Sequence, residues 1–165
     1  MSSIVSLADL IERGGIYYNI AGSSPVEVLN EATKAMALPK GLDREALLTA
    51  ILEREALMPT ALGHGVAIPH PRNSMLSDHA SQRVAVFFLK SPVAYNALDR
   101  KPVSVLFLIL SADARSHLAT LASVSHLCQS QVFLDFLAAR PSKEELVKRI
   151  AEAESAWAKA SEDQA

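Results

Sequence analysis

Apolar positions recur along this chain in alternating helical and extended rhythms. Between Ser6 and Arg13, Leu7, Leu10 and Ile11 share one side of a short helix, and Gly14 and Gly15 stop it. Ile16-Tyr17-Tyr18-Asn19-Ile20 is aromatic and β-branched, which predicts a strand. The chain turns at Ala21-Gly22-Ser23. Ser24-Pro25-Val26-Glu27 then carries three helix-start signals: Ser24 as N-cap, Pro25 at the first helical position, and Glu27 closing a capping box. Val26, Leu29, Ala32 and Met36 supply that helix with an apolar face, and Pro39-Lys40-Gly41 ends it. Asp43 caps a second helix that reaches about Leu57.

The second half repeats the alternation. Val66 to Ile68 forms a brief buried strand, and Asn73 to Gln82 is a polar loop. Arg83 to Leu89 reads as a strand, Pro92 to Leu98 as extended chain, and Asp99-Arg100-Lys101 as a turn. Pro102 to Ser111 holds a nearly continuous apolar run, the mark of a strand covered on both faces, so helices must flank the sheet on two sides. Ser111 or Asp113 starts a helix reaching about Cys128, Ser130 to Ala139 forms another, and Pro141 separates it from a last helix. In that last helix Leu146, Ile150, Ala153 and Trp157 share a face. The expected organisation is one α/β domain over residues 1–157, with a frayed tail at 158–165 whose end is acidic. No internal repeat or dividing linker interrupts it.

Composition narrows the class. The chain has 165 residues, 50% of them hydrophobic and 21% charged, within the range of a globular domain. A net charge of -2 provides no electrostatic case for nucleic acid as a partner. A single cysteine, Cys128, excludes an internal disulfide and fits a reducing compartment. Met1-Ser2-Ser3-Ile4-Val5 lacks the pattern of a signal peptide, and the apolar run Val105 to Leu110 is too short to span a bilayer. A soluble cytoplasmic protein is expected.

Three polar side chains stand out against this background. In Gly63-His64-Gly65-Val66-Ala67-Ile68-Pro69-His70-Pro71-Arg72, two prolines stiffen the backbone around His70 and push it away from helical geometry. An imidazole held on such a segment can present one ring nitrogen to a partner. Arg54 follows Leu47 and Ile51 at helical spacing, so an apolar stripe ends in a guanidinium that must reach water or meet an anion. His117 heads the stripe Leu121, Val124, Cys128 in the first turns of its helix, where free N–H groups favour anions. Each feature also has an ordinary reading. His70 can be a solvated loop residue, Arg54 can complement a helix dipole, and His117 can be a partly buried structural histidine. Together they fit a phosphoryl group on His70 with cationic or hydrogen-bonding neighbours.

Thr60-Ala61-Leu62-Gly63-His64-Gly65-Val66-Ala67-Ile68-Pro69-His70 closely resembles the active-site segment of enzyme IIA proteins of the bacterial phosphoenolpyruvate-dependent phosphotransferase system, of the fructose, mannitol and nitrogen-regulatory type. Supporting matches are Arg54-Glu55, the segment from Tyr95 to Val103, and His117-Leu118 with Leu121, in order along nearly the whole chain. The resemblance implies a single compact α/β domain with a mixed, about five-stranded sheet and helices on both faces. It implies that His70 accepts a phosphoryl group, at Nε2, from the carrier HPr or its nitrogen-branch relative. His117 and Arg54 would be the phosphate-stabilising neighbours, and no cofactor or metal is called for. Ala61 stands where the family often has glycine, Pro71 where some members have glycine, and His64 where some have asparagine. None of these departures removes a functional group. The length leaves no room for fused membrane or IIB modules, so a stand-alone IIA protein is expected.

Two destinations for the phosphate follow from the resemblance: a regulatory role of the nitrogen-related kind, or transfer to a separate sugar-specific EIIB protein. Outside it stand two further classes. His64, His70, His79 and His117 could form the metal site of a hydrolase, although their spacing fits no short zinc motif. The chain could also be an interaction module in which His70 is never phosphorylated.

Overall fold

The apolar run after Pro102 is the centre of the molecule. The computed structural model describes residues 5–164. In chain order these form α1 (Leu7–Gly14), β1 (Ile16–Ile20), α2 (Pro25–Ala35), α3 (Arg44–Leu57), β2 (Ala61–Gly63) and β3 (Val66–Ala67). A 3-10 turn (His79–Ser81), β4 (Arg83–Val93), β5 (Val103–Leu110), α4 (Ala114–Leu127), α5 (Gln131–Ala138) and α6 (Lys143–Asp163) follow. The strands form one sheet in the order β1-β4-β5-β3-β2. β4 pairs antiparallel with β5, β1 runs parallel to β4, β3 runs parallel to β5, and β2 turns back antiparallel on β3. The sheet is therefore mixed, five-stranded and covered on both sides, as expected.

Strand alternation sorts the core into two halves. Val84, Val86 and Phe88 with Val105, Phe107 and Ile109 face α1, α4, α5 and α6. Ala85, Phe87 and Leu89 with Leu106, Leu108 and Leu110 face α2 and α3. Each large apolar side chain so buried contributes roughly 1.5–3 kcal/mol of transfer free energy. That is why an unbroken apolar run is stable here and nowhere at an edge. On the first face α1 lies unusually close to β4. A Cβ on Gly14 would stand 2.0 Å from the Val84 carbonyl oxygen, so no larger residue fits.

Helix starts follow the sequence closely. Ser24, Asp43, Asp113 and Ser130 each accept a backbone N–H three residues on. Three details differ. The Glu27 carboxylate takes the N–H and hydroxyl of Ser23, not the N–H of Ser24, because Ser23 offers two donors one residue earlier. Val26 is 57% exposed, and Val28 takes its place on the buried face of α2. The sheet lies beneath Val28, Leu29, Ala32 and Met36, which puts Val26 at the outer rim of the first turn. The last helix continues past Trp157 to Asp163, with residues 158–164 exposed. The expected domain start near Met1 lies outside the described residues.

Candidate active site

His70 sits in a segment pinned from both sides. The Ile68 N–H donates to the Thr60 carbonyl (2.9 Å), the Ile109 N–H of β5 donates to the Pro69 carbonyl (3.0 Å), and the Arg72 N–H donates to the Ala50 carbonyl of α3 (3.2 Å). Pro69 and Pro71 add no donors of their own, so this backbone satisfies itself without regular structure. The preceding hairpin is as constrained. Gly63, His64 and Gly65 all have positive φ (99°, 59° and 82°), and the His64 N–H donates to Asp99 Oδ2 at 2.8 Å. Glycine on either side makes the turn accessible, and Asp99 holds its one non-glycine member.

The ring of His70 is oriented by its own backbone. Nδ1 lies 2.8 Å from the Ile68 carbonyl oxygen. A carbonyl only accepts, so Nδ1 carries the proton and Nε2 keeps its lone pair. His117 stands beside it, with ring centroids 4.5 Å apart and planes tilted by 56°. Its place is set by α4, whose N-cap Asp113 accepts the His117 N–H at its carbonyl (3.1 Å). The two rings, with Ser74, Ser111, Asp113 and Ala114, line a cleft of about 280 Å³.

Electrostatics keeps both imidazoles neutral. Burial pushes the His70 pKa below the usual histidine range and the Arg54 charge adds to this, while the bond to Ile68 works the other way. His117 is pushed down to about 4, first by burial, then by His70 and Arg54. Arg54 is thus felt at both rings, but Nη1 donates to the Met58 carbonyl at 2.8 Å, capping the end of α3, and the side chain does not line the cleft. The structure brings His70 and His117 together, with Arg54 acting on them as a charge from the adjoining helix end.

Asp113 and Ser74 are wall residues that sequence reasoning did not assign to the site. Asp113 was legible as a helix cap only. Its Oδ1 accepts the Ser116 N–H (2.8 Å), its Oδ2 meets His79 Nε2 (2.6 Å), and these bonds, His79 foremost, hold its pKa at about 2. Ser74 gives its hydroxyl to the Ser111 carbonyl (2.7 Å), joining the polar loop to the end of β5. Nothing in a serine of a polar loop signals that contact in advance. Among the described residues, no three His, Cys, Asp or Glu side chains gather to hold a metal ion. No helix among them is long and apolar enough to cross a membrane.

Residues 9–153 match the family model described as "Phosphoenolpyruvate-dependent sugar phosphotransferase system, EIIA 2". A nitrogen regulatory protein of Klebsiella oxytoca is 32% identical over 156 residues, covering 93% of this chain and 94% of that protein. The fructose-specific EIIABC component of Bacillus subtilis is 29% identical over 154 residues, covering 92% of this chain and 22% of that protein. The crystal structure of the nitrogen regulatory protein IIA-Ntr from Neisseria meningitidis superposes with a TM-score of 0.72 at 27% identity, over 82% of this chain and 92% of that one. Family model, relatives and fold agree, and the chain belongs to the type-2 EIIA family of the phosphoenolpyruvate-dependent phosphotransferase system.

Proposed function

We propose that the protein is a phosphohistidine carrier that accepts a phosphoryl group on Nε2 of His70 from HPr or its nitrogen-branch relative. The observation that carries this reading is the Nδ1···Ile68 carbonyl contact, which leaves Nε2 as the nucleophile beside His117. In the transfer, the Nε2 lone pair forms a new N–P bond as the donor's N–P bond breaks, and the donor imidazole leaves with that electron pair. His70 keeps its Nδ1 proton throughout. Onward transfer then releases a neutral imidazole, a better leaving group than an imidazolate. The protein's contribution is position and charge more than covalent chemistry. His117 and Arg54 offset the charge of the arriving phosphoryl oxygens.

The regulatory role fits best, in which the phosphorylation state of His70 controls binding to target proteins in the cytoplasm. Similarity to a nitrogen regulatory protein over nearly the whole of both chains supports it. Similarity to a fructose-specific EIIABC component supports the second reading, transfer to a separate EIIB protein during sugar uptake. Incubation with phosphoenolpyruvate, enzyme I and HPr should put an acid-labile phosphate on the protein. Mixing that phosphoprotein with purified EIIB proteins separates the readings, since loss of the label to one EIIB favours sugar transfer. No label at all from donors proven active on another EIIA would overturn the carrier assignment.

A further inference from the structure

We infer that Glu55 is a positioning residue that sets which nitrogen of His70 faces the phosphoryl donor, acting through Thr60 and Ile68; the inference rests on the carrier reading above. Glu55 lies in the last turn of α3, where a negative charge meets the unfavourable end of the helix dipole. Both of its oxygens are nonetheless committed to one residue. Oε1 accepts the Thr60 hydroxyl at 2.6 Å and Oε2 accepts the Thr60 N–H at 2.7 Å. Thr60 is 5% exposed, so these bonds satisfy donors that water does not reach.

The clamp continues to the reactive ring. The Thr60 carbonyl accepts the Ile68 N–H (2.9 Å), and the Ile68 carbonyl accepts Nδ1–H of His70 (2.8 Å). The other two anchors of the segment, the Ile109 N–H on the Pro69 carbonyl and the Arg72 N–H on the Ala50 carbonyl, come from the central strand and from α3 and do not pass through Glu55. Thr60 by contrast lies in the short link between α3 and β2, where Arg54 holds the Met58 carbonyl and Glu55 holds Thr60 itself. Loosening it frees the Ile68 carbonyl from its position, and the ring loses its reason to keep the proton on Nδ1. The consequence is a choice of nitrogen, which packing alone does not dictate.

The test reads the ring directly. In 15N NMR of the unphosphorylated protein, the parent should show His70 protonated at Nδ1, and the phosphorylated parent should carry phosphate only at Nε2. Glu55→Ala should lower the Nδ1–H tautomer preference about tenfold, the loss of roughly one hydrogen bond, and should yield a mixture of Nε2 and Nδ1 phosphate. Glu55→Gln can accept the Thr60 N–H and donate to its hydroxyl, so it should restore the parent pattern. Thr60→Val, which loses only the hydroxyl bond, should move the ratio in the same direction as Glu55→Ala and guards against a Glu55→Ala protein that does not fold. A parent-like tautomer and a single Nε2 isomer in the folded Glu55→Ala and Thr60→Val proteins would overturn the inference. Because the tautomer is read without phosphate, a parent that accepts none would sink the carrier reading while leaving this measurement intact.

Discussion

Phosphate on His70 should change the charge state of His117. At rest, with a pKa of about 4 set by burial, His70 and Arg54, His117 is protonated in about one molecule per thousand at pH 7. A phosphoryl group brings roughly one and a half to two negative charges. The ring centroids are 4.5 Å apart, so the new charge sits at about that range from the His117 imidazole. Coulomb's law there gives about 1 kcal/mol per charge in water and about 4 at an effective dielectric of 20. His117 is half-buried, so the watery end of that range governs, and about 2–4 kcal/mol remains for the dianion. At 1.36 kcal/mol per pKa unit, the His117 pKa should rise by about 1.5–3, to between about 5.5 and 7, which brings its titration into the range of an ordinary histidine. NMR titration of the His117 ring between about pH 5 and 8.5 should find no midpoint in the free protein and a clear one in the phosphoprotein. Identical, flat titrations in both forms would refute the placement of His117 against the phosphate.

The same depressed pKa values govern acid behaviour. His70 and His117 are neutral when folded and bind protons more readily when unfolded, so stability should be complete above about pH 6.5 and fall as pH drops from there toward 4. Urea midpoints at pH 7.5 and 5 should show this, and His117→Gln should reduce the difference. Gly14→Ala tests packing against propensity. Helix propensity alone predicts a gain of up to about 1 kcal/mol, but an added Cβ 2.0 Å from the Val84 oxygen must move to about 3.4 Å, lifting α1 from β4. A loss of about 3 kcal/mol or more is expected in denaturant titration, and a neutral result would contradict the packing described. Tyr95→Phe should be neutral or stabilising by about 1 kcal/mol, because among the described residues its hydroxyl is the buried side-chain polar atom left without a partner. Thermal unfolding of that variant reads the sign.

What was legible in the sequence was mainly local. Ser24, Asp43 and Ser130 announce their helices because a cap bonds to backbone only three residues away, and of the two starts open for α4, Ser111 and Asp113, it is Asp113 that caps. The apolar run of β5 announced a sheet covered on both faces, since no other arrangement buries both sides of one strand. The misses lie where distant chain decides. β2 is only Ala61–Gly63 and exists through its pairing with β3, which no three-residue pattern could signal. Val26 and Val28 are equally apolar, and only the position of the sheet beneath α2 chooses between them. At the site, His70 and His117 were singled out separately, by two prolines and by an apolar stripe. Their ring contact needed β5 to bring the His70 segment beside the start of α4. Arg54 was singled out as a guanidinium that must reach water or meet an anion, or that complements a helix dipole; that its Nη1 holds the Met58 carbonyl at the end of α3 is a contact the stripe did not signal. The carbonyl of Ile68 that orients His70 is backbone, and composition says nothing about backbone direction.

The proposed carrier function stands or falls with phosphate on His70. Intact mass of the parent and of His70→Ala, after incubation with phosphoenolpyruvate, enzyme I and HPr, tests it most directly. One acid-labile phosphate is expected on the parent and none on the variant, with His117→Ala still able to accept it, more slowly. Equal phosphate on parent and His70→Ala would contradict the assignment and move the chemistry to another side chain.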